Sequence, residues 1–367
     1  MKIFILAGEP SGDEYGARLM QNIAENTQNV HFIGIGGPLM SKQGLNSMVP
    51  LQKMSVMGFF EIVKTLPFFI KLEKKILKLI SEKKPEKIIL IDYPGLNLRL
   101  APKIKSSIKT KIFYYISPQI WAWKEQRIKT IKQHIDKMIV IFEFEKNWYK
   151  KRGLEVEYVG HPFLDIWNKG KTESVIKKYN IDKEQPILTL FPGSRKQEFK
   201  KHLQLLVDVA LKLKKHIPKL QILLGLHSEI QLTHKIDQKI IIIKDEPLKA
   251  LELANVAIVA SGTATLQAAI MQIPTVVVYK MNSLSWFLTQ RMVRVKYASM
   301  ANIIAEEEVF PEYLQKQATS EKLYHAVYEI LNNEETRNKI NKKINLINKK
   351  IGDSGASKRA AEYIINN

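Results

Sequence analysis

The strings in this chain best equipped for chemistry place a polar side chain beside glycine at the end of an apolar run. "ILIDYPGLN", residues 89–97, sets Asp92 directly after a buried-strand pattern. A carboxylate there faces a ligand cleft and can act as a general base, with a proton affinity open to tuning by partial burial. The same residue can equally cap the turn that follows. "LTLFPGSRKQE" (188–198) and "VASGTATLQ" (259–267) each run from an apolar strand pattern into small residues and then a helical pattern. Small residues such as Gly193, Ser194, Ser261, Gly262 and Thr263 let backbone N–H groups approach an anion, which a helix N-terminus favours. Arg195 can add a bidentate phosphate contact. Either loop alone reads as an N-capped helix. Two of them on neighbouring strands read as a diphosphate site that needs no metal.

"LAGEPSGDEYGA" opens the chain's first strand-to-helix transition, with Gly8, Gly12 and Gly16 four apart. It has neither GxGxxG spacing nor Gly-Lys-Ser/Thr, and it carries Glu9, Ser11, Asp13 and Glu14. The expectation is an acidic loop followed by a helix from about residue 16. In "YISPQIWAWK" (115–124), Ser117 ends another strand, and Trp121 and Trp123 read as packing before they read as a ligand platform. His161 reads as a structural or hinge residue.

Elements must exist to hold these groups. Apolar runs at 2–7, 31–35, 87–92, 112–116 and 138–142 alternate with helical patterns at about 16–26, 68–82, 97–107, 124–133 and 144–151. Such uninterrupted runs imply parallel strands buried on both faces. A polar stretch at 160–185 reads as a linker. The alternation then restarts, with strands at 187–191, 220–224, 239–243, 256–260 and 275–279. The reading is α/β, with two Rossmann-like domains facing across a cleft: 1–165, 166–320 and a helical segment 321–367 that packs back on the first domain or is swapped in a dimer. Ligands then sit beyond the carboxyl ends of the strands.

Composition narrows the classes. At 367 residues the chain is comfortable for two cores. The absence of cysteine excludes disulfides and thiolate metal sites. Met1-Lys2 runs straight into a strand pattern without a cleavage site, so the expected compartment is the cytoplasm. The formal charge of +21 calls for an anionic partner: nucleic acid, an anionic membrane or a phosphorylated substrate. No helix-turn-helix, RNA-recognition or zinc pattern supports nucleic acid. An NAD-dependent oxidoreductase is disfavoured, because the first turn lacks GxGxxG and "HFIGIGG" (31–37) ends in glycine where a ribose-binding acid is expected.

In order, "AGEPSGDEYGA", "GIGGPLM", "MGFFEI", "IDYPGLN", "SPQIWAWK", "GHP", "FPGSR" and "ASGTATLQ" resemble the lipid-A-disaccharide synthases over about residues 1–305. The resemblance implies a GT-B glycosyltransferase that joins UDP-2,3-diacylglucosamine to 2,3-diacylglucosamine 1-phosphate (lipid X). The products would be a β-1,6 disaccharide and UDP. It places UDP in the second domain, on Gly193, Ser194, Arg195, Ser261, Gly262, Thr263, Gln267 and Asn302. The acceptor side would carry Glu9, Ser11, Gly12, Asp13 and Ser117, with Asp92 as the base. It implies no metal or other cofactor, a peripheral position on the cytoplasmic face of the inner membrane, and dimers formed by exchange of C-terminal helices. Three positions depart from the family pattern: Gln267 stands for Glu, Gly95 for a second acid, and Ala301 for Pro. The rival reading is another UDP-sugar enzyme of the same fold, an epimerase or a non-lipid glycosyltransferase.

The stretch 56–80 is too charged to span a bilayer, yet it gathers Phe59, Phe60, Phe68 and Phe69 ahead of a lysine-studded helix. That composition suits a segment lying in the membrane interface, with the four phenylalanines as the contact.

Overall fold

Apolar strands without a polar face must be covered on both sides, and that is how this chain folds. The computed structural model describes residues 1–54, 59–167, 169–226, 230, 232, 235–244 and 246–367, without the side chains of 59–65, 284, 285 and 288. The residues divide into two compact units, one of 1–166 with 351–367 and one of 167–350.

In the first unit the strands are β1 (Lys2–Ala7), β2 (His31–Ile35), β3 (Asn46–Ser47), β4 (Lys87–Ile91), β5 (Lys111–Tyr115), β6 (Lys137–Val140) and β7 (Glu157–Tyr158). They form one sheet in the order β3-β2-β1-β4-β5-β6-β7, with every pairing parallel. The helices are α1 (Pro10–Glu25), α2 (Pro38–Lys42), α3 (Phe59–Lys83), α4 (Pro94–Ser107), α5 (Ile128–His134), α6 (Glu143–Lys150) and α7 (Phe163–Ile166). Ile88 to Ile91 of β4 are wholly buried.

The second unit repeats the plan. It begins with α8 (Glu173–Tyr179), β8 (Ile187–Phe191), α9 (Lys196–His216), β9 (Gln221–Gly225) and β10 (Ile240–Ile243). It continues with α10 (Pro247–Glu252), β11 (Val256–Ala260), α11 (Thr263–Ile270), β12 (Thr275–Tyr279), α12 (Ser283–Met292), α13 (Met300–Ala305) and β13 (Glu312–Leu314). Its sheet order is β10-β9-β8-β11-β12-β13, again all parallel. In each sheet the order reverses beside the first strand, between β1 and β4 and between β8 and β11. Those are the switch points where open parallel sheets bind ligands.

The structure corrects several expected features. α1 begins at Pro10, not near residue 16, because proline at the first helical position sets φ for the helix. Gly12 and Gly16 are therefore helical, and both are buried. The expected linker 160–185 contains α7 and α8. The expected 321–367 segment is divided: α14 (Ser320–Asn332) and nearly all of α15 (Glu334–Ile351) belong to the second unit, and α16 (Ala356–Asn366) to the first.

The aromatic stretch expected to lie in a membrane interface is placed differently from that expectation. Phe68 and Phe69 are half-buried and packed on the first core, so they are not the outermost groups of α3. The exposed apolar pair is Leu66 (43%) and Ile70 (42%), one helical turn apart. The side chains of Phe59 and Phe60 lie outside the described residues. Glu73, buried on α3, ties that helix to α4 through Arg99 at 2.9 Å and Lys103.

α16 is held at both ends by polar contacts. The Asp165 carboxylate accepts the N–H groups of Gly355 and Ser357 (2.7 Å), and Lys87 Nζ donates to the carbonyls of Ile364 (2.6 Å) and Ile365 (3.1 Å). Asp165→Ala strips the N-terminal cap, and we expect it to cost about 1–3 kcal/mol. Urea unfolding measures the loss. An unchanged midpoint would show that α16 is held by its other contacts, with α1 and Lys87, and not by the cap.

Candidate active site

At the first unit's switch point the chain leaves β4 through two successive left-handed residues, Asp92 (φ 42°) and Tyr93 (φ 46°). Neighbouring β5 ends on Ile116 at φ 65°, a conformation costly for a β-branched residue. Strained backbone of this kind gathers at functional sites, where the surroundings must hold it. Here they do. The Asp92 N–H donates to the Tyr115 carbonyl at 3.0 Å. The Asp92 carbonyl accepts Asn97 Nδ2 at 2.7 Å and the Tyr114 hydroxyl. Burial pushes the Tyr15 and Tyr114 phenols up, and the Asp92 charge adds to both shifts. The half-buried Asp92 carboxylate therefore stands among neutral phenols.

Gly8 follows β1 beside this turn. A Cβ there would meet the Tyr93 ring at 2.4 Å, so only glycine lets that ring lie against the backbone. The Tyr93 hydroxyl donates to the Met54 carbonyl at 2.7 Å. Glu9, half-buried, is the N-cap residue of α1, and its charge adds to the burial that raises Tyr93. Ser11 is half-buried in the first turn of α1.

Asp13 and Ser117, which the resemblance puts on the acceptor side, are both engaged within the fold. The Asp13 carboxylate accepts the N–H groups of Gly37 (2.8 Å), Met40 (2.9 Å) and Leu39 (3.0 Å), capping α2 from across the fold. Buried Ser117 shares a 2.8 Å hydrogen bond with the Tyr149 hydroxyl.

Glu145 is a buried acid near Asp92 that the sequence reading missed, and His161 is buried nearby. Glu145, in the first turn of α6, accepts Trp121 Nε1 at 3.1 Å and the N–H groups of Ile141 and Phe142 at 3.3 Å. Burial outweighs these donors and pushes its carboxyl up to about 8, with the Asp92 charge adding a little. His161 Nδ1 accepts the Phe163 N–H at 3.2 Å, which puts the neutral ring's proton on Nε2. Burial holds that ring down to about 3. Trp121 packs edge-on to Phe144, as a packing tryptophan should, whereas Trp123 is 37% exposed.

In the second unit the chain leaves β8 through Gly193 (φ 118°), where a Cβ would lie 2.7 Å from Glu198 Cβ. Ser194 and Arg195 are exposed, and Arg195 Nη1 donates to Glu198 Oε1 at 3.2 Å. Buried His202 spans the site. Its Nε2 accepts the Lys280 N–H at 2.8 Å, so Nδ1 carries the proton and donates to the Pro192 carbonyl at 2.8 Å. The loop after β8 is thereby tied to the end of β12.

After β11, the Ser261 hydroxyl donates to the Ala298 carbonyl at 2.7 Å. Gly262 and Thr263 are exposed at the start of α11, and Gln267 is half-exposed one turn on. The anion-binding potential rests on the first-turn N–H groups and the Thr263 hydroxyl.

Asn302 requires a correction. It is fully buried, and its amide donates to the Phe310 carbonyl and to Glu312 Oε1, both at 2.8 Å. Its Oδ1 accepts the N–H groups of Val309 and Phe310 at 2.9 Å. Glu312 also accepts the N–H groups of Ala298 and Ser299 at 2.8 Å. Asn302 therefore builds the loop around α13, with no capacity left for a nucleotide. Ala301 in place of proline leaves that loop pinned by these bonds. Among the described residues no three acidic or histidine side chains gather as a metal site.

Two Rossmann-type units with polar loops at both switch points define the class as a GT-B glycosyltransferase fold. Solved structures share the architecture. UDP-GlcNAc 2-epimerase from Neisseria meningitidis superposes with TM-score 0.67 at 12% identity, covering 100% of both chains. The calicheamicin glycosyltransferase CalG4 gives 0.62 at 12%, covering 100% of this chain and 98% of the other. At such identities the likeness concerns fold alone.

The family model for lipid-A-disaccharide synthetase matches residues 3–365. The lipid-A-disaccharide synthase of Coxiella burnetii is 33% identical over 368 residues, 99% of this chain and 98% of its own. That of Nitrosococcus oceani is 34% identical over 370 residues, 99% and 95%. The chain belongs to the lipid-A-disaccharide synthase family and is a glycosyltransferase.

Glu145 makes a pH prediction. Its folded pKa lies above the unfolded value of 4.5, so its contribution to stability is full below about 4.5 and is lost as pH rises through about 8. Glu145→Gln should remove that part of the slope, so the variant should gain on wild type between pH 5 and 9 in urea unfolding. Parallel curves for the two proteins would mean that Glu145 is ionised throughout.

Proposed function

We propose that this chain transfers 2,3-diacylglucosamine from its UDP conjugate to the 6-hydroxyl of 2,3-diacylglucosamine 1-phosphate, forming a β-1,6 disaccharide and UDP. The observation that carries the reading is the family match across residues 3–365. Asp92, held at the carboxyl end of β4, supports it. Asp92 takes the proton of the acceptor hydroxyl as its oxygen attacks the anomeric carbon. One displacement inverts the α-linked donor to a β product. UDP leaves with added negative charge, which Arg195, Thr263 and the first turn of α11 stabilise. Glu9 is assigned to the acceptor, and Gln267 to the nucleotide through its neutral amide. No metal has a part in this assignment. Mass spectrometry of the product from the two substrates tests the reaction itself.

Asp92→Asn is a clean probe, because asparagine tolerates the left-handed backbone that Asp92 occupies. Turnover should fall about 10²–10⁴-fold with the melting temperature unchanged and UDP still bound. Excess EDTA should leave wild-type turnover intact. Near-normal turnover by the variant would remove Asp92 from the mechanism.

The proposed location is the cytoplasmic face of the inner membrane, held peripherally. No helix among the described residues is long and apolar enough to cross a membrane. Leu66 and Ile70 stand exposed on α3, followed by exposed Lys71, Lys74, Lys75 and Lys78. Such a face suits acyl chains below and anionic headgroups beside it. Exchange of α16 between two copies is part of the same proposal, since the Asp165 cap would serve a second copy's helix equally. Replacing both Leu66 and Ile70 with serine should lower sedimentation with anionic vesicles and leave the melting curve unchanged. Wild-type sedimentation by that variant would move the contact elsewhere on the basic surface.

A further inference from the structure

We propose that Arg127 and Lys124 form the subsite for the 1-phosphate of the acceptor sugar, an inference that rests on the glycosyl transfer proposed above. The two cations converge on one indole. Lys124 Nζ lies 4.5 Å and Arg127 Cζ 5.6 Å from the Trp123 ring centroid. Neither side chain makes a hydrogen bond or ion pair with any described residue. The carboxylate between them in sequence, Glu125, is engaged by Arg152 Nε at 2.7 Å, and Arg152 in turn stacks 3.7 Å above Trp148. Two like charges thus share a site that no anion among the described residues pairs. On a chain of charge +21 an unpaired surface lysine means little. A half-buried, unpaired arginine beside a lysine is different. Burial holds both groups below their ordinary values, and the Arg127 charge lowers Lys124 further.

Position assigns the anion. The loop from 116 to 127 leaves the carboxyl end of β5, the strand beside β4. Trp121 anchors the loop to Glu145. Lys124 turns it at φ 57°, and the Arg127 N–H donates back to the Lys124 carbonyl at 3.0 Å. Tyr114 lies between base and cations: its hydroxyl donates to the Asp92 carbonyl, and its phenol feels the charges of both Asp92 and Arg127. In the acceptor, one pyranose ring separates the reacting 6-hydroxyl from the anomeric phosphate. With the hydroxyl at Asp92, the phosphate falls on the side of β5. The Arg127 fork can hold two phosphate oxygens, with Lys124 as a point charge, and the exposed Trp123 face can lie against the sugar. The donor's diphosphate has its own assigned groups in the second unit.

The test compares kcat/KM for 2,3-diacylglucosamine 1-phosphate with that for the same sugar lacking the phosphate. Wild type should prefer the phosphorylated acceptor. In Arg127→Ala that preference should fall about 10- to 100-fold. In Lys124→Ala, at an exposed position, it should fall less, and Arg127→Lys should restore part of it. Melting curves check that each variant is folded. The proposal is overturned if Arg127→Ala depresses both acceptors equally, or if the KM for the UDP-sugar alone rises. A loss that tracks sedimentation with anionic vesicles, at constant preference, would assign the pair to lipid headgroups and overturn it too. Disaccharide made equally well by wild type from both acceptors overturns the subsite and leaves the transferase reading standing. No disaccharide from either overturns both.

Discussion

The polar backbone atoms at the carboxyl end of β4 cannot stay unpaired beside a strand buried on both faces, and their pairing decides where Asp92 stands. The N–H goes to Tyr115 on β5, and the carbonyl takes Asn97 and Tyr114. Those bonds close only if the chain turns left-handed at Asp92 and Tyr93. Each such residue costs on the order of 1–3 kcal/mol. That cost is met by the packed sheet below and by the Tyr93 ring resting on Gly8. The carboxylate proposed above as the base is therefore placed by main-chain geometry.

A second regularity concerns the acids. The chain has 57 lysines and arginines against 36 aspartates and glutamates. Many carboxylates are used internally on backbone N–H groups. Asp13 holds α2, Asp165 holds α16, Glu312 holds the loop before α13, and Asp136 accepts the Ile112 N–H at 2.7 Å. Glu73 is taken by two cations of α4. Several acids thus serve the interior, and the formal excess of +21 suits the anionic substrates and lipid proposed above.

What could be read in the sequence was local. Asp92, the turn after β8 and the turn after β11 each follow a strand directly, so a short string carries both the residue and its place. Ten strands were legible for the same reason, since an uninterrupted apolar run is its own signal, whereas the short β3, β7 and β13 carry no such run and were missed. What could not be read depends on partners far along the chain. Asp13 meets Gly37, Leu39 and Met40; Glu145 meets Trp121; His202 meets Lys280. Asn302 looked like a ligand donor because an amide in a loop has no visible partner until Phe310 and Glu312 fold beside it. On α3 the aromatic residues drew attention by type. Helical phase decides exposure, and it turns Leu66 and Ile70 outward instead.

The departures from the family pattern can be weighed against this geometry. A Cβ at Gly95 would meet nothing within 4 Å, and the position is exposed in the first turn of α4. Space for an acid is present, so its absence is chemical and not steric. A second carboxylate three residues from Asp92 would set like charges together at the end of a buried strand, where each makes the other harder to hold ionised. Glycine removes that repulsion. On the other unit, Gln267 trades a charge for a neutral amide one turn into α11. There a carboxylate would partly cancel the positive helix end proposed above to hold the leaving phosphate. Both substitutions act in one direction: each removes a negative charge, one beside the proposed base and one beside the proposed diphosphate site.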